Sequence, residues 1–228
     1  MKIINNNNLP IIYIFTRFSI YDPNSKGFNL IHDKNYQEKL FSKQRLDKKF
    51  YIFKTLCLPH ILEQEYTNWR WYIFISPKLP LYYKCQLIEM IKLYPQINIQ
   101  EVLHFKEFLS FTNNIVNNQN NYITVRLDDD DGLSLEFLDL LCSYSKHKNS
   151  IVSFPYGTKV CLNNHNKLIY GKKMHQKNNA FGMAGINFNI FNAGNHCYVH
   201  RQYRVIYDMT PNMYYVFCDE MTDTKRKF

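Results

Sequence analysis

Glycine is scarce in this chain, and long hydrophobic runs and closely spaced cysteine pairs are missing. Only 7 of 228 residues are glycine, and no linker rich in Gly, Pro or Ser divides the sequence, which favours one domain over residues 1–228. The first apolar run, residues 11–15, is too short for a signal-peptide core or a membrane span, so we expect no transmembrane segment. The six cysteines include no C-x-x-C pair. Their spacing argues against a zinc ribbon or a disulfide framework and indicates a reducing, cytoplasmic location.

The composition is that of a globular protein with a basic surface. Hydrophobic residues make up 46% of the chain and aromatic residues 16%, enough for a substantial core. Lys and Arg number 28 against 19 acidic residues, a net charge of +9. This balance is compatible with nucleic acid, an anionic membrane surface or a phosphate-bearing substrate, and the charge alone does not choose among them.

Hydrophobic patterns in the first 150 residues alternate between strand and helix. Strands are predicted over residues 11–18, 71–75, 97–103 and 122–127, with helical patterns over residues 36–64, around residues 87–94 and over residues 105–116. Such alternation predicts an α/β fold with a mostly parallel sheet and right-handed crossovers. Beyond Ser150 the residue pattern becomes typical of β-strands, with a strand predicted at 151–154 and a hairpin formed by residues 156–162 and 168–171.

The most unusual stretch is Y-I-T-V-R-L-D-D-D-D-G, residues 122–132, in which a buried strand ends at four consecutive carboxylates. Four adjacent like charges repel one another, so we expect a cation or cationic side chains to neutralise them. Open α/β sheets bind ligands at the carboxyl ends of their strands. The stretch therefore predicts a divalent-metal site, followed by a helix for which Ser134 is the expected N-cap.

Several chemistries could use this acidic run. An EF-hand loop fails, because placing its glycine at Gly132 puts Leu127 and Leu138 at the first and twelfth ligand positions. A two-metal nuclease site remains open. So does a nucleotide-sugar site, in which a D-x-D holds Mg²⁺ or Mn²⁺ against a diphosphate. In the plainest alternative the acids occupy a solvated turn that favours the N-terminus of the next helix.

Three segments carry a resemblance to a known family. T-R-F at residues 16–18, F-x-x-x-x-L-P-x-I-x-x-Q at residues 53–64 followed by Trp71, and R-L-D-D-D-D at residues 126–131 resemble the putative rhamnosyltransferase family of GT-A glycosyltransferases. The resemblance implies a GT-A fold, with a mostly parallel central sheet flanked by helices. It also implies a nucleotide-sugar-binding half, about residues 11–150, and a smaller β-rich acceptor-binding half, about residues 151–228.

The same resemblance implies a reaction and its participants. A sugar, rhamnose or another hexose, would move from a UDP- or dTDP-sugar to a hydroxyl of a glycan or other acceptor, with inversion and with Mn²⁺ or Mg²⁺ as cofactor. Nucleic acid would not be a partner. A catalytically inactive carbohydrate-binding relative is the alternative outside enzymes.

Carried onto this sequence, the family pattern assigns roles to the acidic run. Asp128 would face the donor ribose and share the metal, Asp130 would be the main metal ligand, and Asp131 would orient a metal-bound water or the acceptor. Asp129 would point back into the fold. The other expected donor contacts are Thr16, Arg17 and Arg126, with each arginine equally able to pair with the acids, whereas Arg45 is expected at the surface.

The last third of the chain offers candidates for a further metal ligand and for the general base. Family members resemble W-x-x-x-x-H-x-x-N near the carboxyl terminus, and here Asp219 falls where the histidine would stand, a chemically sensible replacement for a hard cation. His196 and His200 are candidates for the base that removes the acceptor proton, on a segment expected to be strand or loop. Tyr198, Tyr203, Tyr214 and Tyr215 are candidates for stacking on sugar rings.

Overall fold

Two β-sheets and a set of mostly short helices make up the fold. The computed structural model describes residues 9–24, 33–177 and 179–218. The strands are β1 (Ile11–Phe18), β2 (Trp69–Ile75), β3 (Ile97–Glu101), β4 (Tyr122–Arg126), β5 (Asp131–Leu133), β6 (Ser150–Ser153), β7 (Tyr156–Leu162), β8 (Leu168–His175), β9 (Ala184–Ile186), β10 (Arg204–Tyr207) and β11 (Tyr214–Phe217). The α-helices are α1 (Tyr36–Leu40), α2 (Lys43–Ile52), α3 (Leu58–Leu62), α4 (Leu81–Ile91), α5 (Phe105–Val116) and α6 (Phe137–Ser143).

The larger sheet has seven strands in the order β10-β6-β9-β4-β1-β2-β3. It is mostly parallel, as predicted, and only β9 runs antiparallel to its two neighbours, β4 and β6. From β1 the chain moves outward through β2 and β3 and then returns to the other side of β1 as β4. The strand order therefore reverses between β1 and β4, and a crevice is expected beyond their carboxyl ends.

The smaller sheet has four strands in the order β5-β11-β7-β8. β5 pairs with β11 through Asp131 and Val216, and β7 forms the predicted hairpin with β8. The acidic run thus links the two sheets, because β4 ends at Arg126 and β5 begins at Asp131. Among the described residues, β5 and β8 are the two edge strands of this sheet.

The central strand β1 places apolar side chains on both faces of the larger sheet. Ile12 and Ile14 belong to the core cluster that includes the α2–α3 region, whereas Tyr13 and Phe15 face the cluster that includes α5. This alternation is the two-residue period of a strand, here buried on both sides. The buried layers fix β1 and β4, and with them the edge at which the polar residues gather.

Three local predictions differ from the structure. The helical pattern over residues 36–64 is divided among α1, α2 and α3, with a π-helical turn at Phe53–Cys57 and Pro59 in the first turn of α3. Ser134 does not cap α6, whose N-cap is Glu136, because residues 131–133 first form β5. Strand β9 was not predicted, since its three residues follow a glycine turn.

No helix in the described ranges is long and apolar enough to cross a membrane. None of the six cysteines forms a disulfide bond.

Candidate functional site

The four aspartates form a tight turn that separates their side chains. The turn is closed by the backbone N–H of Asp131, which donates to the carbonyl oxygen of Asp128 at 3.2 Å. Asp129 and Asp131 are buried, with 3% and 2% of their surface exposed, while Asp128 and Asp130 are half-buried. Asp128 and Asp129 also face different cationic side chains, which offset the repulsion expected for this sequence.

Asp128 lies between two arginines at the edge where the strand order reverses. Arg17 comes from the end of β1 and has Nη2 3.7 Å from Oδ1 of Asp128, and Arg126 ends β4 with Nη2 3.4 Å from Oδ2. Both guanidinium carbons also lie near the ring of Phe191, at 5.7 and 5.8 Å from its centroid. An aromatic face next to a cation contributes attraction, so Phe191 helps to hold the pair in place.

The charges of this cluster shift one another's titration. Burial alone would raise the pKa of Asp128, but the positive fields of Arg126 and Arg17 outweigh it, and the pKa lies below its usual value. Burial, together with the like charge of Arg126, lowers the pKa of Arg17 to about 10. Asp128 and Arg17 are therefore ionised at neutral pH, and the cluster sets two guanidinium groups against one carboxylate.

Asp129 points back into the fold, as expected, and pairs with Lys49 of α2. The Lys49 Nζ lies 2.5 Å from both carboxylate oxygens, and the ammonium also lies 5.6 Å from the centroid of the Phe18 ring. Burial raises the pKa of Asp129 despite the opposing field of Lys49. The expectation that Arg45 lies at the surface is wrong: it is 8% exposed, and its field also acts on Asp129. Helix α2 therefore turns two cations inward behind the acidic turn.

The segment from the π-helical turn to α3 packs along the same stretch of backbone. The Cys57 thiol lies 3.8 Å from the carbonyl oxygen of Asp128, and Gln64 joins the carbonyl of Ser134 to the N–H of Leu138. A Cβ added at Gly132 would lie 2.6 Å from Nδ1 of His60. The F-x-x-x-x-L-P-x-I-x-x-Q pattern thus supports the acidic turn and β5 from behind.

Other predicted site residues occupy different places. Thr16 is fully buried, and its hydroxyl accepts a hydrogen bond from the Trp71 indole at 2.9 Å, so its side chain joins β1 to β2 in the core. Tyr214 is also fully buried and packs against Phe181, which leaves no face for a sugar. Tyr198, Tyr203 and Tyr215 retain some exposure.

The two candidate histidines lie on a short 3-10 helix, His196–Arg201, and not on a strand or loop. His196 is half-buried and His200 is exposed, while Val199 between them joins the apolar cluster that contains Phe191. Their catalytic role stays a prediction. Asp219 lies outside the described residues.

The acidic turn offers the hard oxygen donors that Mg²⁺ and Mn²⁺ prefer. The described residues contain no group of three or more His, Cys, Asp or Glu side chains arranged to hold a metal ion. Mg²⁺ is commonly bound by one or two carboxylates, with waters and substrate phosphates supplying the other ligands. The half-buried Asp130 and Asp128 fit that kind of incomplete shell, although the structure does not contain a protein cage.

Lys49 is the site residue that sequence reasoning missed. It lies 80 positions before Asp129, in a helix with several other lysines, and no motif distinguishes it from them. Only the way that α2 packs on the acidic turn brings the two charges together.

Similarity to solved structures agrees with this architecture. TarS 1–349 of S. aureus in complex with UDP-GlcNAc superposes with a TM-score of 0.55 at 9% identity, covering 92% of this chain and 59% of TarS 1–349. The UDP complex of the same protein superposes with a TM-score of 0.54 at 9% identity, covering 91% of this chain and 60% of that one. A structure of a longer TarS chain superposes with a TM-score of 0.53 at 9% identity, covering 91% of this chain and 36% of that one. At this identity the likeness shows the fold alone, which is GT-A.

The chain therefore spans 59% of the length of TarS 1–349. A sequence search of curated proteins gave no match. The model of the putative rhamnosyl transferase family matches residues 12–227. With nearly the whole described fold inside that match, the chain belongs to the putative rhamnosyl transferase family, a family of glycosyltransferases.

Proposed function

We propose that the protein moves a hexose, with rhamnose as the first choice, from a UDP- or dTDP-sugar to a hydroxyl of a glycan or other acceptor. The observation that carries this proposal is the Arg17–Asp128–Arg126 cluster at the carboxyl edge of β1 and β4. Ligands of open α/β sheets bind at such an edge. The family match and the GT-A fold support a nucleotide-sugar donor there, and TarS was solved with UDP-GlcNAc and with UDP.

Each member of the cluster has a role in this proposal. Asp128 accepts hydrogen bonds from the donor ribose, and the two arginines face the diphosphate. Negative charge builds on the nucleoside diphosphate as the sugar leaves, and positioned cations stabilise that charge most when they are already in place. Phe191 contributes that positioning by its contact with both guanidinium groups.

A divalent cation, Mn²⁺ or Mg²⁺, completes the proposed site. Asp130 and Asp128 would hold it against the diphosphate, and Asp219 is proposed as a further ligand on the strength of its place in the sequence. When bound, the ion would neutralise charge on the diphosphate. Lys49 and Arg45 draw Asp129 inward, which directs Asp130 and not Asp129 towards this role.

Inversion requires a base that takes the proton of the attacking hydroxyl. We propose His196 or His200 for this step, supported by their position on a helix anchored beside Phe191 through Val199. Asp131 is buried in β5, so its proposed help in orienting the acceptor would act through the turn that it closes. A cytoplasmic location is part of the proposal and is supported by six cysteines that form no disulfide bond.

The Asp130→Ala variant tests the proposal. We expect it to lose Mn²⁺-stimulated hydrolysis or transfer of a UDP- or dTDP-sugar by a factor of about 100 or more, because a metal ligand supplies several kcal/mol at such sites. Its melting temperature should stay close to that of the parent, since Asp130 is half-buried. Glu89→Ala, at an exposed position of α4 whose carboxylate pairs with Lys92, is a control acidic change outside the acidic turn. Full metal-stimulated activity in Asp130→Ala would show that the metal assignment is wrong.

A further inference from the structure

We infer that the acceptor is an anionic chain, one bearing phosphate or carboxylate groups, and that it binds along a lysine band formed by Lys172, Lys173 and Lys177. The inference rests on the proposed transfer reaction, which requires an acceptor. It names the chemical class of that acceptor and the surface that receives it.

The charge of the chain is distributed unequally between its two halves. Residues 1–150 contain 18 Lys and Arg against 15 acids, whereas residues 151–228 contain ten against four. Over the described part of the second half, residues 151–218, the balance is seven against one. That acid, Asp208, is buried and accepts hydrogen bonds from the Tyr144 hydroxyl at 2.6 Å and the Thr210 N–H at 2.8 Å. Six of the seven basic residues are exposed: Lys167, Lys172, Lys173, Lys177, Arg201 and Arg204. Over its described residues, the second half therefore presents positive charge to solvent without an exposed carboxylate.

Three of these exposed residues lie close together in the chain at one end of the smaller sheet. Lys172 and Lys173 are adjacent on the edge strand β8, where the pairing with β7 is irregular and both side chains are exposed. Lys177 follows the end of β8 by two residues, and its Nζ lies 5.8 Å from the centroid of the Tyr207 ring. The contact with Tyr207 links the lysine band to the last residue of β10 in the larger sheet.

Strand directions place that end of β10 on the edge of the sheet that carries the donor site. β10 is parallel to β6, and β9 is antiparallel to both β6 and β4, so β10, β6 and β4 share the same direction. β10 lies three strands from β4, a separation of about 14 Å at the usual strand spacing. Lys177, through its contact with Tyr207, thus lies at the same edge as Asp128 and about three strand spacings along it.

An acceptor that continues beyond its reacting hydroxyl would cross this distance. A surface of one sign raises the local concentration of oppositely charged ligands and speeds their association, and both effects weaken with added salt. Lysines on an exposed edge strand also oppose strand pairing with other molecules. That explanation covers Lys172 and Lys173 but not Lys177 or the shortage of acids in this half.

Calorimetric titration of the full chain with five probes tests the inference. The probes are polygalacturonate, which carries carboxylates, long-chain polyphosphate, neutral dextran, duplex DNA and vesicles of anionic lipid. The test variant is Lys172→Glu/Lys173→Glu/Lys177→Glu. The control is Lys92→Glu/Lys146→Glu/Lys148→Glu, which has the same change in net charge at exposed positions that precede β3 and β6, on the opposite edge of the sheet.

We expect the parent to bind at least one polyanion at low salt and to show no binding of dextran. The test variant should lose affinity by about tenfold or more, equivalent to at least 1.4 kcal/mol, while the control keeps most of it. Equal losses in the two variants would overturn the inference, as would equal binding of dextran. Binding confined to duplex DNA or to vesicles of anionic lipid would also overturn it.

Donor binding, which the proposed transfer reaction requires, is measured separately on the same samples. Stabilisation by UDP plus Mn²⁺ should be unchanged in the lysine-band variant, because none of the substituted residues belongs to the Arg17–Asp128–Arg126 cluster. Nucleotide binding without polyanion binding would refute the inference alone. Polyanion binding through the lysine band without nucleotide binding would refute the donor site and leave the anion-binding surface standing.

Discussion

Lys49 and Asp129 form the most deeply buried ion pair described at the site. The side chains are 12% and 4% exposed, and the ammonium contacts both carboxylate oxygens. Removing one partner of such a pair leaves an uncompensated charge in a medium of low polarity. The pair therefore has consequences both for stability and for the position of the turn that carries Asp128 and Asp130.

Replacing Lys49 by Met should lower the free energy of unfolding by about 3 kcal/mol, which corresponds to a melting temperature lower by roughly 6–12 °C. Lys49→Arg should retain most of the stability, because it keeps the charge. Adding Asp129→Asn to Lys49→Met should recover much of the loss. Chemical denaturation of the four proteins measures these differences. An unchanged free energy of unfolding in Lys49→Met would contradict the assigned role.

The same variant has a predictable pH dependence. Burial already raises the pKa of Asp129 in the presence of Lys49, and removing the cation should raise this pKa further. A carboxyl group whose pKa is higher in the folded state loses its unfavourable charge as the pH falls through that value. The stability deficit of Lys49→Met relative to the parent should therefore be smaller at pH 5 than at pH 8. A deficit that grows on acidification would contradict this account.

At the scale of secondary structure, β5 is held by the helical segment behind it. Gly132 pairs with Tyr215 of β11, and the ring of His60 stacks on Tyr215 with centroids 4.9 Å apart. The His60 ring also occupies the space that a side chain at position 132 would need. This contact couples the acidic turn to α3.

Gly132→Ala should destabilise the protein by about 1–3 kcal/mol, because the new methyl group would overlap His60 and force a shift of β5 or α3. The double variant Gly132→Ala/His60→Ala should be less destabilised than the sum of the single variants, since the smaller side chain makes room. Thermal unfolding of the three variants measures the coupling. Strict additivity would show that the two residues do not interact as described.

The sequence was informative for long, patterned elements and not for short ones. β1 occupies the predicted residues 11–18 and α5 the predicted residues 105–116, because both carry a sustained apolar pattern. β5 and β9 have three residues each, too few to show a period, and their pairing with β11, β4 and β6 depends on contacts distant in sequence. The parallel sheet was thus predictable, whereas the separate four-stranded sheet was not.

A similar division applies to the site. The acidic run, its position after a central strand and the involvement of Arg17 and Arg126 could be read from the residues, because strand ends meet at one edge. The ion pair of Asp129 with Lys49 and the burial of Thr16 could not be read from the residues. Both depend on which face of α2 or β1 turns inward.

At the scale of the whole molecule, two sheets meet at the acidic turn and the positive charge is concentrated in the second half. The donor edge of the larger sheet carries the Arg17–Asp128–Arg126 cluster, and the lysine band lies further along the same edge. We expect this cluster to bind a nucleoside diphosphate.

Thermal unfolding with UDP, dTDP and GDP, each with and without Mn²⁺, tests that claim most directly. At a concentration 100 times the dissociation constant, a ligand of the folded state adds about 2.7 kcal/mol, or roughly 5–10 °C for a chain of this size. We predict such a shift for UDP or dTDP with Mn²⁺, reduced to little or none in Arg17→Ala/Arg126→Ala. The shift should be retained in the control Arg70→Ala, at an exposed position near the amino end of β2. Absence of a shift with every nucleotide, or an undiminished shift in the double variant, would contradict the account.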